Sequence, residues 1–432
     1  MAKHTIVISQ DAMVFEDLEY LKTLPNFSKV WDRCARVDHV RSIYPTLTYP
    51  CHTSMMTGVY PDRHGVINNE QTRLFELKSP WIHFRDSVKV PTIFDYAKAA
   101  GLTTASVFWP VTGNDPSIDY LVNEYWPQTP EESIQDCFRN SGTSEEVMQK
   151  AVVPNLGLIH PTVRKHPEVD RFMHGCACDI IRHFKPNLLL LHPANVDDYR
   201  HKTGLFTERI KHGLYEIDLW FGEILRACEE AGIYDDTNFF IISDHGQLNV
   251  VRNVAINAIL AEASLVTLDA DENVIDYIAA GKSTGLSCQI YLKNPDNQAD
   301  YDKTYAILRK MADDGIYGFS RVYTKEEVEQ EEHLSGDFSF VLETDDYTSF
   351  SNDWHRPFMR RPNNTSYRLG TATHGHHPDK GPQPTLIAFG PDLKPGALLT
   401  KARIIDEPVT IAHTMGLTME NTDGFVLHEI LR

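Results

Sequence analysis

The chain has 432 residues with an ordinary globular composition, 42% hydrophobic and 23% charged, and a formal net charge of −19. Such an acidic molecule repels long polyanions, which argues against a nucleic-acid duplex or an anionic membrane surface as its partner. A small phosphorylated substrate remains compatible, because bound divalent cations reverse the potential locally. No stretch approaches the roughly 18 apolar residues that a membrane span needs.

The start of the chain and its cysteines predict a cytoplasmic location. The apolar run at the N-terminus is too short for a secretory signal and passes directly into a predicted strand. Seven cysteines are scattered without disulfide-framework or zinc-finger spacing, and the close pair Cys176 and Cys178 falls in a predicted helix. We therefore expect reduced core thiols. A secreted chain trimmed of its signal would look the same.

Short β-branched runs alternate with helical patterns over the first half of the chain. Between two of these runs, apolar residues recur in steps of three and four from Ile210 to Cys228, which predicts one long helix. Thr207 is its predicted N-cap and Gly232 its predicted end. This alternation favours an α/β fold with a mostly parallel central sheet sandwiched by helices. Four buried strands are predicted in this half, at 4–9, 103–109, 187–192 and 238–243.

From about residue 250 to 370 the sequence becomes more acidic and polar, and it carries the charged run 325–333, which predicts an exposed helix face. We predict a smaller lobe or cap at 250–370, inserted into a catalytic core formed by 1–250 and 370–432. The other elements predicted from residue 250 onward are short strands at 289–292, 339–343 and 385–389 and a closing helix at 407–416.

Carboxylates and imidazoles follow the predicted strands, at the sheet edge where open α/β folds bind their ligands. Both are zinc ligands. If Asp197 and His201 open a helix, their i, i+4 spacing places them on one face. A single Asp after a strand is more often a helix cap, so the argument depends on the whole set. The set consists of Asp11, Asp197, His201, Asp244, His245 and His374.

A second element is the proline-flanked segment 44–52. Pro45 and Pro50 rule out a regular helix across it and predict a rigid turn that leads into helical residues 53–57. Backbone N–H groups at that helix start can receive a phosphoryl oxygen. The Thr48 hydroxyl on this turn is a poor nucleophile unless a metal lowers its pKa, so the hydroxyl and the ligand set need each other. The alternative is a prolyl surface turn without chemistry.

At this point the chain resembles the nucleotide pyrophosphatase/phosphodiesterase family of the alkaline phosphatase superfamily. The longest matching segment is 44–69, which reads YPTLTYPCHTSMMTGVYPDRHGVINN. The resemblance implies an alkaline-phosphatase-like fold and a two-zinc hydrolase of phosphodiester or pyrophosphate bonds in nucleotide-type substrates. The shorter matching blocks are Phe108-Trp109-Pro110, Ser243-Asp244-His245-Gly246, Thr373-His374-Gly375 and the segment 387–396.

The resemblance also implies a role for each site residue. Thr48 is the expected nucleophile, which forms a covalent intermediate beside one zinc. Asn69 is expected to donate a hydrogen bond to a non-bridging phosphate oxygen, and Tyr49 to meet the nucleobase. Trp109, in one of the matching blocks, either lines the substrate wall or lies in the core. Ligands of this kind also admit manganese or iron. One zinc is expected on Asp11, Asp244 and His245 with Thr48 beside it, and the other on Asp197, His201 and His374.

Several alternatives stay open. The same metals serve a phosphomonoesterase, a phospholipid-headgroup phosphodiesterase or a phosphonoacetate hydrolase. A monoesterase needs an Arg or Lys on the terminal oxygens, and the motif surroundings offer only Arg63 and Lys380. A catalytically inactive binding protein is disfavoured because all the expected ligands are present. His376 or His377 replaces His374 if the loop register differs.

The sequence departs from the family pattern at two positions. Ala12 follows Asp11 where a glycine is usual, and Val111 follows Trp109-Pro110 where a glycine is common. His52 and Asp198 lie beside predicted site residues and are expected to support them, and His64 is expected to brace the turn that presents Asn69. The leaving group, the base preference and the oligomeric state carry no signal in the sequence.

Overall fold

An eight-stranded sheet forms the centre of the computed structural model, which describes residues 2–159 and 163–432. Among its strands, Leu386–Phe389 runs antiparallel to both neighbours and the other pairs are parallel. The predicted mostly parallel sheet is therefore confirmed. From edge to edge the strands are Leu398–Arg403, Ala35–Arg41, Leu386–Phe389, Thr237–Ile242, His4–Ser9, Leu188–Leu191, Thr104–Val107 and Tyr120–Val122.

The four strands predicted in the first half of the chain all lie in this sheet. The strand predicted at 103–109 is shorter than expected and ends at Val107. The reason is local, because Phe108 adopts a φ of 56°, in the left-handed region that no β-strand contains. The strands are buried on both faces, as expected for parallel strands covered by helices.

Helices cover the two faces of the sheet and enclose two apolar clusters. The predicted long helix is Glu208–Ala231, and it ends where Gly232 turns into the left-handed region with a φ of 71°. Thr207 precedes it with extended backbone, but the hydroxyl makes no capping hydrogen bond. The helix packs against Glu168–Phe184, which contains Cys176 and Cys178. The seven cysteines are buried and free.

Other helices of seven or more residues connect the strands or lie in the segment after residue 250. In the part of the chain that the structure describes, no helix is both long enough and apolar enough to cross a membrane. These helices are Thr48–Thr57, Ile93–Ala99, Ile134–Asn140, Asn195–Thr203, Ile256–Glu262, Gln298–Asp314, Lys325–Glu332 and Asp406–Thr414.

The segment from about 250 to 370 builds a four-stranded antiparallel sheet of its own. Its apolar residues form a cluster distinct from the two clusters of the central sheet. The charged run folds as the helix Lys325–Glu332, with only Val328 and Glu332 buried. The boundaries proposed at 250 and 370 stay a prediction. The four strands, in sheet order, are Ala279–Ser283, Ser287–Leu292, Phe340–Thr344 and Phe319–Thr324.

Shorter strands lie within this segment, and one further pair flanks it. A three-stranded sheet pairs Arg252–Ala255 with Thr348–Ser351 and Met359–Arg360, and a second pair is formed by Val266–Leu268 and Val274–Tyr277. The two-residue strands Leu248–Asn249 and Ala372–Thr373 pair with each other.

The segment after residue 250 also contacts the predicted nucleophile turn directly. The Tyr44 hydroxyl donates to Oε2 of Glu343 over 2.8 Å. The amide of Gln289 donates to the carbonyl of Ile67 over 3.1 Å, and the backbone N–H of Leu286 donates to the carbonyl of His374 over 2.9 Å. The strands at 287–292 and 340–344 are therefore fixed to both sides of the predicted site.

Candidate metal and nucleophile site

Six carboxylate and imidazole side chains meet at the carboxyl edge of the central sheet and form two groups. In each group the possible ligand atoms of three residues all lie within 4.8 Å of one another. The structure thus brings together the six residues that the sequence singled out, and it divides them as the resemblance implied. The groups are Asp11, Asp244 and His245, and Asp197, His201 and His374.

Strand ends and one helix position these side chains. Asp11 follows the strand His4–Ser9, and Asp244 with His245 follows the neighbouring strand Thr237–Ile242. Adjacent parallel strands end side by side, so their following residues converge.

The second group is built differently. Asp197 and His201 lie one turn apart on the helix Asn195–Thr203, and Oδ2 of Asp197 is 3.0 Å from Nε2 of His201. His374 comes from a distant loop, and its ring centroid lies 4.1 Å from that of His245. The two groups are therefore adjacent, as a two-metal centre requires.

The donor atoms fit divalent cations. Oδ1 of Asp11 and Oδ2 of Asp244 are buried and have no hydrogen-bond partner among the described residues. A buried carboxylate oxygen without a donor is costly, and a cation removes that cost. Mixed imidazole and carboxylate ligands suit zinc, and they also admit manganese or iron.

Without a cation, the carboxylates repel one another. Burial, together with the charge of Asp197, raises the pKa of Asp11 well above its usual range. Burial and the charge of Asp11 likewise raise the pKa of Asp244. Burial lowers the pKa of His245 and of His374, so both imidazoles are neutral at neutral pH, the form that binds metals.

The nucleophile candidate opens a helix. Thr48 is the first residue of the helix Thr48–Thr57, and its hydroxyl oxygen lies 3.2 Å from Nε2 of His245. The predicted turn is present at residues 44–47, which are not helical, but the helix predicted at 53–57 begins earlier, at Thr48. Pro50 falls in the first helical turn, where its missing N–H would have no intrahelical partner. The backbone N–H of Thr48 thus lies beside the hydroxyl at the start of the helix.

Asn69 is tied to the same helix start. Its Oδ1 accepts a hydrogen bond from the backbone N–H of Tyr49 over 2.9 Å. This orientation leaves Nδ2 as the donor available to a ligand. Asn69 and Thr48 line one cavity, which also contains Asp11, Asp197 and His374. A phosphate in this cavity would therefore face the hydroxyl, the amide and both ligand groups.

The two predicted substrate-contacting aromatic rings lie elsewhere. Tyr49 and Trp109 are both fully buried, and neither lines the cavity. The Tyr49 ring packs edge-on against Trp81 at 5.1 Å, and the indole N–H of Trp109 donates to the carbonyl of His52 over 3.2 Å. The structure therefore corrects the expectation for Tyr49 and places Trp109 in the core, the other of its two expected positions, since both rings support the helix start from inside.

Other residues line the cavity that no motif indicated. Trp81 and Trp126 meet edge to face at 5.4 Å, and the Arg164 guanidinium carbon lies 4.4 Å from each ring centroid. Glu124 lines the same cavity, and burial raises its pKa. Tyr367 stacks on His374, with 5.4 Å between ring centroids and an angle of 5° between the rings. Apart from Glu124 and Trp126, which are two residues apart, these residues lie far apart in the sequence, and the fold brings them together.

The remaining nearby histidines have other partners. Nδ1 of His64 accepts from the backbone N–H of Val66 over 3.1 Å, which matches its expected role in bracing the turn. Nε2 of His377 lies 2.9 Å from Glu332. Neither His376 nor His377 belongs to either ligand group. The side chains that stand beside the site are His52, which lies 2.9 Å from Ser9, and Asp198, which pairs with Lys202.

The two departures from the family pattern share one conformation. Ala12 has a φ of 57° and Val111 a φ of 60°, both in the left-handed region that favours glycine. The Ala12 N–H donates to Oδ1 of Asp244 over 3.2 Å, and its carbonyl accepts from Arg200. These bonds hold the strained turn after Asp11 in place.

Comparisons with known proteins agree with this arrangement. Residues 5–378 match the model of the family described as type I phosphodiesterase / nucleotide pyrophosphatase. Human ectonucleotide pyrophosphatase/phosphodiesterase family member 1 is 26% identical over 293 residues, which are 63% of this chain and 28% of the human protein. Ectonucleotide pyrophosphatase/phosphodiesterase 2 of Saccharomyces cerevisiae is 26% identical over 298 residues, 66% of this chain and 54% of the yeast protein.

The chain thus covers about a quarter to a half of the length of these relatives. Among solved structures, murine ectonucleotide pyrophosphatase / phosphodiesterase 5 superposes with a TM-score of 0.68 and 17% sequence identity, and the match covers 99% of this chain and 100% of the murine chain. An inactive variant of that murine protein in complex with AMP matches with the same score. The structural likeness confirms the predicted alkaline-phosphatase-like fold.

Proposed function

Because the chain belongs to the type I phosphodiesterase / nucleotide pyrophosphatase family, we propose that it is a metal-dependent hydrolase of phosphodiester or pyrophosphate bonds. The observation that carries the proposal is the distance of 3.2 Å between the Thr48 hydroxyl and His245, within a cavity that both ligand groups line. A hydroxyl at a helix start beside six metal-ligating side chains has the parts that phosphoryl transfer needs.

We propose two zinc ions as the cofactors, with manganese or iron as substitutes. Asp11, Asp244 and His245 would hold one ion, and the second group would hold the other. Such ions lower the pKa of a hydroxyl and neutralise charge on a transferring phosphoryl group.

In this proposal the deprotonated Thr48 oxygen attacks phosphorus while the bond from phosphorus to the leaving group breaks, which gives a covalent intermediate. Water then attacks the same phosphorus, releases the phosphorylated product and restores the Thr48 hydroxyl. Nδ2 of Asn69 binds a non-bridging oxygen, and the backbone N–H of Thr48 adds a further donor. The fixed donors are already in place before substrate binds, so little reorganisation accompanies the charge shift.

Nucleotides are the proposed substrates. The murine protein of the same fold was solved with AMP in an inactive variant, and the names of the relatives describe nucleotide pyrophosphatases. In this chain the aromatic surfaces that could stack on a base are those of Trp81 and Trp126, which both line the cavity. We also propose a cytoplasmic location for the protein.

The test compares the metal-loaded wild type with Thr48→Ala on p-nitrophenyl thymidine monophosphate, a diester, and on p-nitrophenyl phosphate, a monoester. We expect fast cleavage of the diester, weak cleavage of the monoester, and loss of both in the variant. Full activity of Thr48→Ala would overturn the nucleophile assignment. No cleavage of either ester by metal-loaded wild type would overturn the proposed function.

A second candidate is a phosphomonoesterase. The sequence offered Arg63 and Lys380 as cations for the terminal oxygens, but Arg63 pairs with Asp423 at 2.7 Å and Lys380 pairs with Glu343 at 3.0 Å. Arg164, by contrast, lines the cavity beside Thr48. A preference for the monoester in the same assay would favour this candidate and leave the fold and metals unchanged.

A further inference from the structure

A groove of about 750 Å³ extends from the second ligand group toward the inserted segment. It contains Asp197 and His201 at one end and Arg368 in its lining. Thr48 lies beside His245 of the first group, so an in-line attack would send the leaving group away from Thr48, toward the second group. If the proposed function holds, the groove therefore receives the leaving-group side of the substrate.

Arg368 is buried in this groove with unused donors. Its side chain is 7% exposed, and Nη1 donates to Oε1 of Glu70 over 2.9 Å. Nε and Nη2 are buried and make no hydrogen bond of good geometry among the described residues, although the Tyr367 hydroxyl neighbours the guanidinium. A buried guanidinium with two unused nitrogens pays a desolvation cost that an anion would remove.

The charges around Arg368 do not balance. Glu70 is the carboxylate that Arg368 pairs with, and the same side chain pairs with Lys282 at 2.9 Å. Burial opposes ionisation of Glu70, but Arg368 and Lys282 outweigh it and lower the pKa of that carboxyl. The buried cluster of Glu70, Lys282 and Arg368 thus carries one formal positive charge in excess.

Tyr367 connects this cluster to the metal-ligand group. The guanidinium carbon of Arg368 lies 4.6 Å from the centroid of the Tyr367 ring, and that ring stacks on His374. The Tyr367 hydroxyl is also buried, and the Arg368 guanidinium is its polar neighbour among the described residues. One ring therefore separates the candidate metal ligand from the buried positive charge.

We propose that Arg368 and Tyr367 form an anion subsite that binds a second acidic group of the substrate, a phosphate or a carboxylate, attached next to the reacting phosphorus. The inference rests on the proposed function for the position of the reacting phosphorus. The planar guanidinium offers two parallel donors, which match the geometry of either acidic group. Arg368 is thus a specificity-determining residue that selects substrates with this additional negative charge.

The test measures binding to the metal-loaded protein by calorimetry with three ligands. Orthophosphate probes the metal centre alone, pyrophosphate adds a second phosphate, and phosphonoacetate adds a carboxylate. We expect wild type to bind at least one of the two-headed ligands tenfold or more tightly than orthophosphate. Arg368→Gln should lose this preference and keep its affinity for orthophosphate, and Arg368→Lys should recover part of it.

Tyr367→Phe is the second variant, because it removes the hydroxyl and keeps the ring on His374. We expect it to lose part of the preference, which keeps the inference testable if Arg368→Gln fails to fold. If wild type and both folded variants have the same ratio of affinity for a two-headed ligand to affinity for orthophosphate, the proposed subsite is wrong. If wild type binds none of the three ligands, the proposed function fails instead. Tighter binding of pyrophosphate than of orthophosphate identifies the acidic group as a phosphate. Tighter binding of phosphonoacetate identifies it as a carboxylate.

Discussion

The side-chain oxygen of Asn69 accepts a hydrogen bond from the backbone N–H of Tyr49, 2.9 Å away, and this bond joins a loop to the residue that follows Thr48. Replacing the amide by a carboxylate tests both functions of Asn69 at once. Asn69→Asp keeps the acceptor for Tyr49 but replaces the Nδ2 donor with a negative charge facing the phosphate. We expect kcat for a diester to fall about a hundredfold or more, with an unchanged melting temperature.

The measurement is steady-state kinetics beside a thermal melt. Asn69→Ala is the matched variant, since it also removes the acceptor and should lower the melting temperature as well as kcat. A wild-type kcat in Asn69→Asp would show that the amide contacts no reacting oxygen.

The number of metal ions bound distinguishes the role of His374 from that of His377, three residues later. His374 belongs to the second ligand group, whereas His377 lies 2.9 Å from Glu332. We expect His374→Ala, measured by elemental mass spectrometry after dialysis, to lose one of two equivalents of zinc. His377→Ala should keep both equivalents. The reverse result would mean that the loop register places His377 at the metal.

The backbone conformation of the turn after Asp11 predicts that a glycine at position 12 stabilises the protein. Ala12 has a φ of 57°, and an L-residue in that region costs about 1–2 kcal/mol relative to glycine. Ala12→Gly relieves this strain, but it loses a buried methyl group and increases the freedom of the unfolded chain. We expect a net gain of about 0.5–1 kcal/mol in the free energy of unfolding, measured by urea denaturation. Ala227→Gly, in the long helix, is the control and should destabilise by about 1 kcal/mol.

The burial of Glu407 predicts that the protein loses stability as the pH rises. The residue is fully buried in the helix Asp406–Thr414, and both carboxylate oxygens lack a hydrogen-bond partner among the described residues. Burial, with Asp406 and Asp244 nearby, raises its pKa well above the usual value. A folded-state pKa above the unfolded one favours folding at low pH. Its contribution is lost as the pH rises from the unfolded pKa through the folded one.

Glu407→Gln stays neutral at every pH and should therefore remove this dependence. We expect the variant to match wild type near pH 4 and to melt at a higher temperature near pH 8. Thermal melts across that range give the comparison. A variant less stable than wild type at pH 8 would show that the ionised carboxylate has a partner in solution.

The sequence predicted the parts of this molecule that depend on local pattern. Strand His4–Ser9 and helix Glu208–Ala231 have their expected positions, because apolar spacing alone specifies which face is buried. The six ligand candidates converge because strand ends lie at one sheet edge. The roles given to Tyr49 and Trp109 depended on which way a ring points. Periodicity does not determine that direction, and both rings turn into the core.

The residues that line the groove could not be predicted from the sequence, for a different reason. Glu70, Lys282 and Arg368 lie more than eighty residues apart from one another, and no spacing relates them. Trp81 and Trp126 look like ordinary core residues until the fold places Arg164 against both rings. The helix at Thr48 was missed because a proline at its third position was interpreted as a helix breaker, although the first turn tolerates it.

Tyr44 lies four residues before Thr48 and donates a hydrogen bond to Glu343. This bond links the nucleophile turn to a strand of the inserted segment. Glu343 also accepts from the backbone N–H of His377 over 3.1 Å, close to the His374 loop. One buried carboxylate thus ties the turn before Thr48 and the loop after His374 to the same strand of the inserted segment. Mutations that adapt this segment to a new substrate would shift the nucleophile as well. In the evolution of this chain, substrate range and turnover rate are therefore expected to change together rather than as independent traits.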